Sequence, residues 1–441
     1  MIAILSFCLL LCNTLIVSQP SCDMTSTQQA LLFQQAMNFL TPSGWSIHDT
    51  GIMKFVRGNA YGNNPSSLYG IYEWLTIDVP LSWIGPQDAW VWIGCTPPDI
   101  QYFSARSYLY SAPNFDTLFA SLGDSNNILT FNTTNGGPCN RTAVVITTAD
   151  QYTAQTLSNA FIKAGLDPLA INIDIIPGTG LNLLFGRNLS TDLFTYLFRV
   201  ALFHNLTDGY YYTNSTWPVY YIYPPDNSIA QPYPIPPLRP RDNHTNEVSF
   251  NTSLYTLVNQ TIEFWNNFNS TVVNMDTLVP LPIEGYQCIA NNTCCLGDNR
   301  DTSYLTSNNS YILSNDTSTF LMVLGINHVL TMDVIYANLD VNDDLTGDGI
   351  IGVTNKFWNG SAIHFGGESI PNANYLYGYA IARNCSKVGP ALPYCLEVDF
   401  NLLPADHGMV IAERAYLQRS SKVGPKDTSL LMPIIMEFTV P

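Results

Sequence analysis

The sequence predicts an α+β protein that is rich in β-structure. It should have two lobes of mainly antiparallel sheet and a βαβ-like segment near residues 143–176. Three observations support this. Short runs with a period of two, rich in aromatic and branched residues, occur in both halves. A strand–helix–strand pattern interrupts the first half. A segment with seven prolines, residues 224–240, divides the chain.

The first predicted element is a helix over residues 26–40. Ser26 is a candidate N-cap with Gln29 three positions later, and apolar residues at 32, 36 and 40 follow at helical spacing. Pro42 and Gly44 end it. Period-two runs then predict strands at 74–79, 89–94 and 102–110.

The pattern of residues 143–176 predicts the βαβ-like segment. Ala143–Ile146 forms the first strand, Asp150 caps a helix, and Gly165 suits its C-terminal end. Isoleucines alternate with polar residues over Ile171–Ile175, which predicts the return strand, and Phe194–Phe203 resembles another strand.

The proline-rich run gives the domain boundary. We expect an N-terminal lobe over 19–223, a stiff linker over 224–242 and a C-terminal lobe over 243–441. A helix is expected around Leu254–Phe268. Strands of the second lobe are predicted at 320–324, 333–339, 376–382, 396–400, 410–417 and 434–440.

Residues 1–18 are predicted to be a cleaved signal peptide. An apolar stretch of suitable length ends near Ser18 and is followed by Gln19 and Pro20. No later run is long enough to predict a transmembrane helix. We therefore expect a secreted, extracellular protein of the eukaryotic secretory pathway.

The net charge of −17 argues against a nucleic-acid partner, because phosphates favour Lys and Arg. Fourteen Asn-X-Ser/Thr sequons predict dense N-glycosylation, although an Asn-rich and Thr-rich chain also makes sequons by chance. They begin at Asn132, Asn140, Asn188, Asn205, Asn214, Asn243, Asn251, Asn259, Asn269, Asn291, Asn308, Asn315, Asn359 and Asn384.

An even number of cysteines remains after the signal peptide, which favours disulfides in a secreted chain. Loop closure favours near neighbours, so we expect Cys385–Cys395, Cys95–Cys139, and Cys288 with Cys294 or Cys295. The candidates are Cys22, Cys95, Cys139, Cys288, Cys294, Cys295, Cys385 and Cys395.

Three short motifs carry a partial resemblance over about residues 60–125. Asn64–Tyr69 resembles an NPDTLYS pattern, Tyr102–Ser104 resembles YYSFQ, and Phe119–Gly123 matches FASLG. In this order they are similar to a bacterial envelope-associated family of unknown function with β-rich folds. The resemblance implies a fold for this stretch and no activity.

The sharpest local motif lies at residues 344–355 and resembles a calcium loop. Side-chain or backbone oxygens of Asp344, Thr346, Asp348, Ile350 and Asn355 stand at ligand positions, and Gly349 supplies the turn. Asn355 replaces the usual bidentate Glu. The alternative is a polar hairpin loop with Asp-Gly turn chemistry. The first interpretation predicts calcium as a cofactor, and the second predicts none.

The candidate chemistry is otherwise sparse. Gly123-Asp124-Ser125 invites a serine-esterase interpretation, but the adjacent Asp406 and His407 do not give its usual base motif. The six histidines are dispersed, and His204 and His328 lie in apolar runs that predict burial.

We expect a non-enzymatic extracellular glycoprotein with a surface, matrix or binding role, whose partners are extracellular glycans or other surface proteins. Two alternatives stay open. One is a secreted hydrolase with a site assembled from dispersed Asp, Glu and His. The other is a carbohydrate-binding or adhesive module, which the 25 Tyr and 8 Trp would suit.

Overall fold

A computed structural model describes residues 22–57, 75–78, 81–113, 115, 117–242, 247–315, 317–347 and 349–440. The predicted signal peptide, the Asn64–Tyr69 motif, Asn243 and Asp348 lie outside these ranges. Within them, no helix is both long and apolar enough to cross a membrane.

The N-terminal part of the chain forms one large sheet with helices packed on both of its faces. Its helices are α1 (Ser26–Leu40), α2 (Gln151–Lys163) and α3 (Leu206–Asn214). The strands are β1 (Ser46–Arg57), β2 (Leu75–Asp78), β3 (Ser82–Trp83), β4 (Ala89–Cys95), β5 (Ile100–Ser111), β6 (Ala120–Ser121), β7 (Asn126–Asn127), β8 (Thr142–Thr148), β9 (Ile171–Ile175), β10 (Leu193–Phe203) and β11 (Thr216–Tyr223).

The order of this sheet is β6-β5-β10-β2-β1-β11-β4-β8-β9, with β3 and β7 pairing at its side. Its pairs are antiparallel except for β8 and β9, which are parallel and joined through α2. The βαβ-like segment is therefore confirmed. Apolar residues of α1 and α2 cover one face, with Phe33, Leu157 and Phe161 fully buried against Val144 and Ile146.

The α1 cap lies one residue earlier than predicted. The Thr25 side chain accepts the Gln28 N–H, and the Gln28 side chain accepts the Thr25 N–H, which completes a capping box. Ser26 and Gln29 do not form it. Gln29 is buried and donates instead to the Met24 carbonyl and the Thr142 hydroxyl, which ties the helix to the sheet.

The described C-terminal part contains two five-stranded sheets and three α-helices. The helices of this part are α4 (Asn251–Asn266), α5 (Gly285–Asn291) and α6 (Ser361–Gly366). Its strands are β12 (Thr271–Thr277), β13 (Val279–Pro280), β14 (Thr302–Thr306), β15 (Thr319–Ile326), β16 (Tyr336–Asp343), β17 (Gly349–Thr354), β18 (Leu376–Ala382), β19 (Cys395–Glu397), β20 (Met409–Tyr416) and β21 (Ile434–Thr439).

The strand orders are β12-β21-β15-β18-β19 and β13-β14-β20-β16-β17. Alternation along β15 explains the layers, because successive side chains point to opposite faces. Leu321 and Val323 enter the core between the two sheets. Phe320, Met322 and Leu324 pack with α4 and α6. The chain is thus β-rich and mainly antiparallel, as predicted.

The proline-rich segment is bonded to the N-terminal sheet. Tyr233 donates its N–H to the Ala149 carbonyl and accepts the N–H groups of Gly178 and Thr179. Near its end the Arg239 N–H donates to Asp124. The segment is extended, as expected for its prolines, and it also carries packing contacts. The domain boundary placed there stays a prediction.

Residues 297–301 of the C-terminal part insert against the N-terminal sheet. The Tyr108 hydroxyl donates to the Asp298 carbonyl (2.9 Å), and the Tyr102 hydroxyl donates to Asp301 Oδ2 (3.0 Å). Tyr102 also packs with Tyr336 and Tyr416. Polar and aromatic contacts therefore join the two parts.

Candidate ligand-binding pocket

A cavity of about 630 Å³ lies where α1 begins and where α3 leads into β11. We call it the aromatic pocket. It is lined by Cys22, Met24, Thr25, Ser26, Gln29, Cys95, Asn140, Tyr211, Tyr212, Asn214, Ser215, Thr216 and Trp217. This volume is within the range of small-molecule sites.

Three local features hold the walls of the pocket. The Cys22–Cys95 disulfide joins the start of α1 to the end of β4. The Asn205 side chain caps α3 by accepting the Thr207 N–H (2.9 Å). At the other end of α3, the Tyr212 hydroxyl donates to the Cys95 carbonyl (2.9 Å). The helix, the strand end and the disulfide are thereby fixed to one another.

The chemistry of this lining is uncharged and amphipathic. None of the described residues that line it carries a formal charge. Tyr211 and Trp217 are half-buried rings, and Tyr and Trp combine an apolar face with a polar edge. Within the described part of the chain, the Asn140 side-chain amide has no hydrogen-bond partner. Such a surface can stack an apolar face of a ligand and bond its hydroxyl groups.

The predicted glycosylation sites lie at the surface. Asn140 and Asn384 are half-buried, and the other described sequon asparagines are exposed. Two of them, Asn140 and Asn214, are on the wall of the aromatic pocket. By contrast, the buried asparagines belong to no sequon; they are Asn127, Asn172, Asn299, Asn327 and Asn338. The described sequons therefore lie at accessible positions, where a glycan can be attached.

Three disulfides are formed. Cys385–Cys395 is confirmed, and of the two alternatives for Cys288 the structure has Cys295. The pairing of Cys95 with Cys139 is wrong, because Cys95 is bonded to Cys22 across a separation of 73 residues. The sheet brings these two cysteines together, and sequence distance alone would not. Cys139 and Cys294 are free thiols, and Cys294 is exposed.

The predicted calcium residues are spread along a hairpin. Asp344 and Thr346 lie in the turn between β16 and β17, and Ile350 is within β17. Asn355 follows the far end of β17, where its Oδ1 accepts the Ala337 N–H (3.2 Å). The structure thus does not bring Asn355 to Asp344. Within the described ranges, no group of three or more His, Cys, Asp or Glu is arranged to hold a metal ion. Calcium binding stays a prediction.

The histidines lie in unrelated environments. His204 is exposed and pairs with Asp99 (2.9 Å), so its predicted burial is wrong: it lies at the end of β10, where the chain leaves the sheet. His407 pairs with Asp343 (2.7 Å) rather than with its neighbour Asp406. Ser125 is 2 % exposed, and its hydroxyl donates to Asn299 Oδ1 (3.1 Å). The esterase motif therefore serves the contact between the two parts of the chain.

Sequence reasoning missed a buried ion cluster around His328. His328 Nδ1 lies 2.8 Å from Glu247 Oε1, and His328 Nε2 lies 2.6 Å from Glu413 Oε1. All three side chains are fully buried. Burial opposes a charge on His328, yet the two carboxylates hold its pKa well above the usual value. The burial of His328 is confirmed, but the two glutamates gave no sequence signal.

A second cavity bears on the hydrolase alternative. It measures about 320 Å³, is lined mostly by apolar residues, and contains Asp192. Burial raises the pKa of Asp192, while the Leu184 N–H that it accepts (2.8 Å) acts in the opposite direction. Hydrolysis by acid–base chemistry normally uses a second positioned group. Asp192 is the one acidic residue among the described residues that line this cavity.

Comparison with known proteins assigns this chain to no family. No family model matches the chain, and no curated protein sequence matches it. Among solved structures, the chain is similar to an uncharacterized protein from Burkholderia cenocepacia. The likeness covers 96% of this chain and 91% of that one, with a TM-score of 0.43 and 11% sequence identity. A similarity this low supports no inference, and the resemblance to the bacterial family stays an expectation.

Proposed function

We propose that this chain is a secreted N-glycoprotein that binds a neutral saccharide in the aromatic pocket. The observation that carries the binding role is the combination of Tyr211, Trp217 and the hydroxyl groups of Thr25, Ser26 and Thr216 around one uncharged cavity. Sugar rings present both hydroxyl groups and apolar C–H faces. An aromatic wall with nearby hydroxyl groups matches both, and a charged wall would not.

The placement of the sequons supports the glycoprotein part of the proposal. Glycosylation needs an accessible asparagine, and every buried asparagine in the described chain is outside a sequon. The three disulfides are compatible with an oxidising compartment. Attached glycans would also add polarity to a surface that has few charged residues, since charged residues are 12% of the chain.

Peptide mapping of protein from its native host tests glycosylation. We expect the apparent mass to fall on endoglycosidase treatment, and we expect glycopeptides that contain the exposed Asn188 and Asn359. Occupancy should be lower at Asn140 and Asn384, which are half-buried. An unchanged mass, equal to that of the bare chain, would contradict the proposal.

Two neighbouring tyrosines provide a matched pair for the binding test. Tyr211 lines the pocket, whereas Tyr210 is 49% exposed on the same helix and does not line it. Tyr211→Ala should weaken saccharide binding about fivefold, because a stacked aromatic contact contributes about 1 kcal/mol beyond its area. Tyr210→Ala should leave binding unchanged.

The measurement is titration of neutral oligosaccharides, followed by tryptophan fluorescence and calorimetry. Asn140 and Asn214 are at the wall, so the protein should be measured before and after endoglycosidase trimming. Equal affinity in the Tyr210 and Tyr211 variants would place binding elsewhere. If no saccharide binds either form of the wild type at millimolar concentration, the binding role is wrong.

A further inference from the structure

We infer that Arg187 anchors a second ligand site, which takes a small carboxylic acid that also carries hydrogen-bond donors. The site is a cavity of about 330 Å³ beside the start of β4. Arg187 and Asp88 line it together with Gln87, Asp226 and backbone of Gly85 and Gly186. It shares no lining residue with the aromatic pocket.

Arg187 is held in place by a buried carboxylate. Arg187 Nη2 lies 2.5 Å from Asp88 Oδ1, and Arg187 Nε donates to Asp88 Oδ2 (2.9 Å). The Asp88 side chain is 1% exposed, and Oδ2 also accepts from the Tyr221 hydroxyl (2.9 Å). Both oxygens of Asp88 are therefore bonded within the protein, and its role is to orient the guanidinium.

Two aromatic side chains, Tyr223 and His48, also help to hold Arg187 in place. Arg187 Cζ lies 3.6 Å from the centre of the Tyr223 ring, which is cation–π distance. The Tyr223 ring in turn stacks on His48, with centroids 4.5 Å apart. A side chain held by a bidentate ion pair and a ring face has lost most of its freedom before any ligand binds. Binding to such a group costs less entropy.

The second edge of the guanidinium is available. A guanidinium has five N–H donors, and Asp88 engages only the edge formed by Nε and one N–H of Nη2. Within the described part of the chain, Nη1 and the other Nη2 N–H have no protein acceptor. The Arg187 side chain is 43% exposed and lines the cavity. This edge fits a planar carboxylate in a bidentate pair.

The remaining lining defines the class of ligand. Asp226 lines the same cavity, and its negative charge repels a doubly charged phosphate more strongly than a singly charged carboxylate. A single carboxylate leaves Asp226 free to accept a hydrogen bond from a hydroxyl or ammonium group of the same molecule. Sugar acids and amino acids share this chemistry, and the cavity is large enough for either.

Calorimetric titration of the Tyr211→Ala variant with glucuronate, glucose and alanine tests the site, because in the wild type glucose could also bind in the aromatic pocket. Glucuronate should bind at least tenfold more tightly than glucose, which lacks the carboxylate, and alanine shows whether an ammonium can replace the hydroxyls. Arg187→Lys keeps a cation beside Asp88 but loses the fork, so it should lose at least tenfold in glucuronate affinity. Arg419→Lys, at an exposed arginine, should change nothing.

Thermal unfolding of Arg187→Lys shows whether the variant is folded. Asp226→Asn is a second variant, at an exposed residue, and it should bind glucuronate more weakly than the wild type. Asn188 belongs to a sequon, so titrations before and after endoglycosidase treatment are needed. Equal binding of glucuronate and glucose, or full affinity in a folded Arg187→Lys, overturns the inference. So does failure of both acids to bind. Tyr211→Ala should not affect glucuronate, which separates this site from the proposed saccharide site.

Discussion

Two groups of buried carboxylates in this molecule have pKa values that are shifted in opposite directions. Glu247 is buried beside His328, and although burial acts to raise its pKa, the neighbouring cation and hydrogen bonds hold it below the usual value. Asp298 and Asp301 are buried where the two parts of the chain meet, and burial raises the pKa of each to about 6.

The pKa shifts differ because the two groups of carboxylates have different hydrogen-bonding partners. His328 is within 2.9 Å of a carboxylate oxygen on each side, so a positive charge compensates the glutamates directly. Asp298 accepts mainly from neutral donors, the Ser121 N–H (2.7 Å) and hydroxyl (2.6 Å). Asp301 likewise accepts from the Asn127 amide (2.7 Å). Neutral donors offset only part of the cost of burying a charge.

Removing the positive charge of His328 should have the largest effect on the stability of the protein. His328→Gln leaves Glu247 and Glu413 buried without a counter-charge, so the free energy of unfolding should fall by about 3–5 kcal/mol. Urea unfolding at pH 7 measures it. His204→Gln, at an exposed histidine that pairs with Asp99, is the control and should be near wild type. Similar losses in both variants would show that the buried cluster contributes no more than a surface pair.

Asp298 and Asp301 should make the free energy of unfolding depend on pH, with an effect of intermediate size. Their folded pKa of about 6 exceeds the unfolded value of 3.8, so the folded state binds more protons between these values. The stability they contribute is present below pH 3.8 and is lost as pH rises toward 6, on the order of 3 kcal/mol for each aspartate.

Asp298→Asn and Asp301→Asn cannot titrate, so each should flatten the fall in unfolding free energy between pH 4 and 7. Chemical denaturation at several pH values measures this, with Asp406→Asn at an exposed site as the control. If the wild-type stability rises across this range and the two variants follow it, the aspartates are not the titrating groups.

The smallest effect should come from the hydroxyl that supports the His328 cluster. The Tyr377 hydroxyl donates to Glu413, and its ring stacks on Trp358. Tyr377→Phe should cost about 1.5–3 kcal/mol, since this hydrogen bond ends on a charged group. Tyr379→Phe, two residues along β18, loses a bond to the Phe357 carbonyl (3.1 Å) and should cost about 1 kcal/mol. Thermal or urea unfolding of both variants compares them, and equal losses would contradict a charged Glu413.

Local patterns in the sequence determined most of the regular elements. Runs of aromatic and branched apolar residues in β4, β15 and β21 predicted strands, because such side chains pack well on a pleated sheet. The helical period predicted α1 and α2, and the short spacing of Cys385 and Cys395 predicted their disulfide. Each of these signals lies within a few neighbouring residues, so the sequence alone contains it.

Strands with a weaker pattern were missed. β11 contains Pro218 and a run of tyrosines, and β17 lies inside the segment that resembled a calcium loop. An Asp-Gly turn is compatible with both a hairpin and an ion-binding loop. The pairing of β17 with β16 shows that the backbone forms a hairpin. That register places Asn355 beside Ala337 rather than beside the turn.

Only the tertiary structure decided the sites. Glu247, His328 and Glu413 meet from three elements far apart in the chain, and so do Asp88, Arg187 and Tyr223. The sequence determined that these residues are polar, aromatic or ionisable, but their contacts depend on the order and register of strands that pair over long distances. Those pairings follow from the burial of whole faces, so no local pattern around Arg187 or His328 could predict its partners.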